Sequence, residues 1–403
     1  MRRTAPARTP ALPGCIVAVN QPSIHYFDNN ATTRVAPEVV EAMLPFLREN
    51  WGNPSSAYSF GRDLGEHIEK AREQVAGLIN ADPREIIFTS CGTESNNSAI
   101  QSALVTHPQK RHVVTTAVEH SANIKFCEFL QKQGCEVTFL PVDAEGGFDL
   151  HLLERALRAN TALASVMWAN NETGVLFPIE EIAAICRSKS VPFHTDAVQT
   201  PGKLKIDVKE LAVDFLSLSA HKLHGPKGIG LLYVKRRTKF HPYVMGGGQE
   251  RGRRGGTENV ASIVGFGRAA ELAMASLKDE NTRVRAFREK LEGGILKSIS
   301  GTMRNGGSEP RLPNTSNIAF EGVEAEGILL LLDQLGICAS SGSACTTGSL
   351  DPSHVLLAMG CNAARARSSI RFSLGIYNTA EDVDYLLKHL PGVINKLRGN
   401  AIP

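Results

Sequence analysis

Asp214-Phe-Leu-Ser-Leu-Ser219 is a short apolar run that leads without a break into Ala220-His221-Lys222-Leu-His224-Gly-Pro-Lys-Gly228. A lysine directly behind a strand-like run, after a polar Ser-x-His and ahead of glycines, is a lysine delivered to the carboxyl end of a strand. Similar β-branched or apolar runs lie at Glu85–Thr89, His112–Thr116, Glu136–Leu140, Ala162–Met167, Pro192–Thr195 and Gly230–Tyr233. They alternate with helical periodicity from about Thr33 to Leu277, which predicts an α/β fold: a mostly parallel seven-stranded sheet covered by helices. Open sheets of this kind bind ligands beyond the carboxyl ends of their strands. Chemistry is therefore expected in Thr89-Ser-Cys-Gly-Thr-Glu-Ser95, Glu119-His120, Trp168-Ala-Asn-Asn-Glu-Thr-Gly174, Asp196-Ala-Val-Gln199 and Ser219-Ala-His-Lys222.

Beyond Leu277 a charged helical stretch, Lys278–Ser298, and strand-like runs at Ser316–Phe320 and Ser369–Ser373 predict a smaller α/β domain. The expected division is an N-terminal extension at 1–24, a large domain at 25–277 whose first residues can join the small one, and a small domain at 278–403. A chain of 403 residues with 42% hydrophobic content is long enough for two cores. With 44 basic against 41 acidic residues, the near-neutral balance gives no reason to expect nucleic acid or an anionic membrane as partner. No apolar run approaches the roughly 20 residues of a membrane helix, so no membrane association is expected. The eight cysteines are scattered, without a Cys-x-x-Cys pair, which suggests a reducing, cytoplasmic setting. The acid-free Met1–Pro13 stretch reads as a disordered arm.

Three pieces suit one cofactor. A desolvated lysine such as Lys222 loses its proton readily and can attack an aldehyde. Asp196, 26 residues upstream at another strand end, can keep a pyridinium nitrogen protonated, the arrangement that makes pyridoxal phosphate an electron sink. Gly92 and Thr93 open a helix, where free N–H groups favour a phosphate. No Gly-x-x-x-x-Gly-Lys-[Ser/Thr] run and no Gly-x-Gly-x-x-Gly after a first strand is present, so a nucleotide enzyme is disfavoured.

The chain resembles the fold-type I pyridoxal-phosphate cysteine desulfurases, most closely the nitrogenase-associated NifS class. The resemblance runs from Asp28-Asn-Asn-Ala-Thr-Thr33 to Ile370-Arg-Phe-Ser-Leu374 and rests also on Gly52-Asn-Pro-Ser-Ser56, Asn170-Asn-Glu-Thr-Gly174, His194-Thr-Asp-Ala-Val-Gln199, Arg251-Gly-Arg-Arg-Gly-Gly-Thr-Glu-Asn259 and Ser340-Ser-Gly-Ser-Ala-Cys-Thr346. It implies that Lys222 holds the cofactor and moves protons at the substrate Cα, with His120 stacked on the ring. Asp196 would meet the pyridine nitrogen and Gln199 the phenolic oxygen. The phosphate would be bound by Gly92, Thr93, Ser219 and His221, joined by Thr257 of a neighbouring subunit in an obligatory homodimer. Asn171 and Arg371 would hold the carboxylate of L-cysteine.

By the same resemblance Cys345, on a small, polar loop expected to be mobile, receives the sulfur as a persulfide. It would pass it to an iron-sulfur scaffold protein and could transiently ligate iron. Cys338, behind an apolar run, reads as a buried structural cysteine; Cys91, beside the phosphate turn, is the rival nucleophile. His120 is the expected proton acceptor for one of the two sulfurs. Arg251–Arg254 reads as a subunit-interface loop, His354 as a helix start without chemistry, and a His221/His224 zinc site is disfavoured for want of a third ligand. The stretch Cys361-Asn-Ala-Ala-Arg-Ala-Arg367 has no reading. The implied role is sulfur supply for nitrogenase clusters, with housekeeping cluster supply, a selenocysteine lyase, an aminotransferase or a scaffold-docking protein as alternatives.

Overall fold

The structure, a computed structural model, describes residues 23–341 and 351–399. After a short strand β1 (His25–Tyr26), strands β2 (Ile86–Thr89), β3 (His112–Thr116), β4 (Glu136–Leu140), β5 (Thr161–Ser165), β6 (Phe193–Asp196), β7 (Phe215–Ser219) and β8 (Gly230–Val234) follow in sequence. The last seven form one sheet in the order β2-β8-β7-β6-β5-β3-β4. Neighbours from β7 to β4 are parallel, as expected for an α/β fold. Every residue of β2, β3 and β5 to β8 is buried, because helices cover both faces; β4, at the edge, is partly exposed.

Only β8 runs against its neighbours β2 and β7. The connection from Ser219 to Gly230 contains a single tight turn, Ala220–Lys222, and no crossover helix, so it cannot return the chain in parallel. Gly230 begins β8 beside Thr89 and Ser219. A Cβ there would lie 2.6 Å from the Cys91 carbonyl carbon, so only glycine lets the Cys91 turn cross the strand's start.

The remaining strands are β9 (Thr302–Arg304), β10 (Thr315–Phe320), β11 (Ile337–Cys338) and β12 (Ser369–Ser373). An antiparallel sheet β12-β10-β9 carries a separate core that includes Phe27, Leu291, Ile318, Phe320, Phe372 and Leu386. Strand β1 pairs in parallel with β11, so residues 25–27 pack with this second lobe although they precede the first in sequence.

One helix joins the lobes. It runs from Val260 to Asp279, widens through a π turn at Glu280–Val284, and continues from Arg285 to Ser298. The expected boundary at 277/278 falls inside it. Among the described residues this helix, Val260–Ser298, is long and apolar enough to cross a membrane by length and composition, against the expectation that no such segment exists. Its apolar stretch is broken only by Arg268 and Glu271, and 56% of it is buried in the protein. That burial, against the Leu64–Leu78 and Pro37–Arg48 helices, accounts for its apolar composition.

Candidate active site

Beyond the carboxyl ends of β2, β3, β6 and β7 lies a cavity of about 290 Å³. Its walls bring together Gly92, Thr93, His120, Asn171, Asp196, Gln199, Ser219, His221, Lys222 and Arg371, ten of the residues singled out from sequence. Thr257 is exposed and is not part of this wall. Cys345 lies outside the described residues.

Lys222 leaves the turn after β7, and its ammonium donates to the carbonyls of Asn30 and, at 2.8 Å, Ala31. The N-terminal segment therefore supplies a floor that the lysine rests on. Gly92 begins a helix, Gly92–Thr106, whose N-cap residue Cys91 makes no side-chain capping bond. Uncapped N–H groups at the positive end of a helix dipole form an anion site. A Cβ on Gly92 would lie 2.8 Å from Val198 Cγ2, which reserves this position for glycine.

Opposite, Asp196 ends β6 with Oδ2 accepting from Asn96 Nδ2 at 2.6 Å and Oδ1 accepting from the Val198 N–H at 3.0 Å. Asn96 was not singled out from sequence. Its spacing from Gly92 is one helical turn, which puts both on the cavity side of one helix. Among the described residues, the buried atoms Gln199 Oε1, Ser219 Oγ and Asn96 Oδ1 have no hydrogen-bond partner. Orphan polar atoms of this kind, clustered on the walls of one cavity, are what a polar ligand satisfies. The anion site, the amine and the carboxylate border the same space, so the residues fit an aldehyde cofactor carrying a phosphate and a ring nitrogen.

Two histidines line the cavity. Burial, then the charges of Lys222 and Lys227, pushes His221 down to about 4, and its Nδ1 faces Thr32 Oγ1 at 3.2 Å. His120 caps the Ser121–Lys132 helix, its Nδ1 accepting from the Ala122 N–H at 3.1 Å. A ring that accepts at Nδ1 carries its proton on Nε2, so taking a second proton costs the Ala122 bond. Gln199 Nε2 already donates to the Asn30 carbonyl at 3.0 Å, so a bond to a phenolic oxygen must use its second hydrogen.

Arg371, in β12, is 1% exposed; it donates to Asp28 Oδ1 at 2.6 Å and to the Asn171 carbonyl at 3.0 Å, with Nε unpartnered. The next backbone contact leads out of the site, since Arg371 and Ser340 exchange N–H···O bonds of 2.6 and 3.2 Å. On the far side of residues 342–350, Ser353 Oγ donates to the buried Glu172 at 2.5 Å, and His354 Nε2 donates to the Glu119 carbonyl at 2.9 Å. Both flanks of the Cys345 segment are thus fastened to residues in or beside the cavity wall. His354 starts the His354–Ala358 helix but is also a tether, a role the sequence did not disclose.

Glu119, singled out with His120 by its place after a strand but given no role, is a structural anchor. Fully buried, it accepts from Thr116 Oγ1, Asn123 Nδ2 and the Met167 N–H at 2.8 to 2.9 Å, and burial pushes its carboxyl up to about 7. It ties the end of β3, the exit of β5 and the following helix together beneath His120. Cys91 lines the cavity in its rigid turn. Cys338 is half-buried in β11 rather than buried, because that two-residue strand is covered on one side only by β1. Of the Arg251–Arg254 loop, Arg254 binds Glu94 at 3.0 Å and Arg251 binds Glu69 at 2.8 Å, so two of its charges are satisfied within the chain.

A lysine at a strand end facing a helix N-terminus and an aspartate defines a cofactor-dependent enzyme of aminotransferase type. Residues 25–386 match the family described as aminotransferase class-V. A cysteine desulfurase 2 of Trichormus variabilis is 53% identical over 93% of this chain and 94% of its own length. The cysteine desulfurase NifS of Azotobacter vinelandii is 52% identical over 93% of each chain. A solved NifS-like protein superposes with a TM-score of 0.88 at 40% identity, covering 93% of this chain and all of its own. The chain belongs to the class-V aminotransferase family, within its cysteine desulfurase branch.

Proposed function

We infer that the protein is a cysteine desulfurase that takes the sulfur of L-cysteine, releases L-alanine, and carries the sulfur as a persulfide on Cys345. The observation that carries this reading is the meeting of Lys222, Asp196 and the uncapped Gly92 helix around one cavity. When bound, pyridoxal phosphate supplies an electron sink for the pair left when a Cα proton departs. Gly92, Thr93, Ser219 and His221 would hold its phosphate, and Asp196, oriented by the donors of Asn96 and Val198, would hold a proton on its ring nitrogen.

Lys222 would hold the cofactor and then act as the base at Cα. The carbonyls of Asn30 and Ala31 hold its amine at the cavity when it is not covalently engaged. Arg371 and Asn171 would orient the cysteine carboxylate; Asp28 fixes the guanidinium plane so that its remaining hydrogens face the substrate. His120, holding its proton at Nε2, is better placed to stack and donate than to deprotonate a thiol. The Cys345 thiolate attacks the substrate sulfur, the C–S bond breaks, and its electron pair returns with a proton to leave alanine.

The sulfur would pass in the cytoplasm to an iron-sulfur scaffold, for nitrogenase assembly. Thr257, exposed on its own chain, would complete a partner's phosphate site in a homodimer. Lys222→Ala is expected to lose borohydride-fixable pyridoxal phosphate; retention of cofactor fixed to the chain overturns the assignment. Deleting the gene should impair growth on dinitrogen and spare growth on ammonium, whereas equal loss on both assigns housekeeping supply.

A further inference from the structure

A second cavity, of about 360 Å³, lies between the lobes, and Lys222 belongs to the walls of both. Besides Lys222 and the exposed Glu38 at its rim, two opposite charges that are buried face it from different elements. Lys203 comes from the turn after β6, and Glu280 from the π turn in the interlobe helix; each is 5% exposed. They lie farther apart than the 4.0 Å of an ion pair. Glu280 Oε2 is buried without a hydrogen-bond partner. Among the described residues, the Lys203 ammonium makes no hydrogen bond either.

Burying two such charges is unfavourable unless something compensates them. Each still feels the other: burial pushes the Glu280 carboxyl up to about 7 and the Lys203 ammonium down, and the partner's charge opposes both shifts. His224, also in the wall, donates through Nδ1 to the Arg34 carbonyl and is held near 4 by burial, so it adds no charge. Leu272, Ala273 and Ile376 form an apolar part of the wall, and Asn29, Thr33 and Ser276 a polar part. A molecule that satisfies these walls carries a cation and an anion a few atoms apart and a short side chain.

We propose that the interlobe cavity is a second binding site for a free α-amino acid, its ammonium on Glu280 and its carboxylate on Lys203. The volume is in the range of small-ligand cavities, about 300 Å³ and upward. An amino acid held there touches both lobes and backs onto Lys222, so its level would be read at the reacting lysine. Alanine, a small α-amino acid, serves as the probe. This site stands independently of the sulfur chemistry proposed above.

The test is equilibrium dialysis of radiolabelled L-alanine against the holoenzyme, comparing wild type with Lys203→Met and with the charge-neutral pair Lys203→Met/Glu280→Gln. The wild type is expected to bind one equivalent per chain more than either variant. Any alanine bound at the catalytic cavity cancels in the difference, so failure of the desulfurase reading leaves this readout intact. Equal stoichiometry in folded wild type and double variant overturns the proposal. A variant-free check is a crystal of the wild-type holoenzyme grown with L-alanine. An amino acid bridging Lys203 Nζ and the Glu280 carboxylate supports the site, and ordered water alone there overturns it.

Discussion

Arg371 enters the cavity with its charge already met by Asp28, so a substrate carboxylate binds to a preset fork rather than to a bare cation. A lysine there keeps the charge and loses the planar pair of donors. Arg371→Lys should therefore raise KM for L-cysteine about tenfold or more, with cofactor binding unchanged. An unchanged KM places the carboxylate elsewhere. At this scale the sequence disclosed the residues with distinctive chemistry, Lys222, Asp196 and His120, because each follows a recognisable strand. It did not disclose Asn96 or the carbonyls of Asn30 and Ala31, and it gave no role to Glu119 and Glu172, although both lie in strand-end segments where chemistry is expected. Their work is done by hydrogen bonds between distant segments, and an Asn or a backbone oxygen has no spacing of its own to read.

Strands β5, β6 and β7 are bolted beneath the site by His194, whose ring bonds Ser165 Oγ at 2.8 Å and Ser217 Oγ at 2.9 Å. Burial alone holds this ring down to about 3, so it stays neutral when folded and takes a proton below about 6.5 when unfolded. Its contribution is complete above pH 6.5 and declines as pH falls toward 3, by about 2 kcal/mol between 6.5 and 5. Thermal unfolding should show wild type's advantage over His194→Gln shrinking from pH 7 to pH 5; a constant advantage means the ring is not buried as a neutral group. The Cys91 turn over β8 offers a second check. Gly230→Ala forces a Cβ to 2.6 Å from the Cys91 backbone and should cost about 1 to 3 kcal/mol in denaturant unfolding. A variant as stable as wild type removes that contact. Strand positions were legible to within one or two residues, since buried runs announce themselves. The reversed direction of β8 was not, because an apolar run carries no arrow.

Of the three hydrophobic clusters among the described residues, one helix threads two, and the chain's first strand returns to the second of these. Composition predicted two domains, but no residue signals that Val260–Ser298 continues across the boundary. Its π turn is a tertiary accommodation, with Asn281 Nδ2 donating to the Lys203 carbonyl at 2.8 Å. With Thr257 exposed and outside its own cavity, the active form should sediment at twice 43.5 kDa. A fully active monomer contradicts the shared site. Ser340 and Ser353, which flank the Cys345 segment in sequence, are both fastened near the cavity, and the proposed function depends on sulfur transfer to Cys345. The direct measurement is mass spectrometry of the holoenzyme after a single turnover with L-cysteine and no acceptor. One added sulfur on the Cys345 peptide with an equal amount of alanine is expected; alanine formed with the sulfur on Cys91, or a keto acid in place of alanine, rules that transfer out.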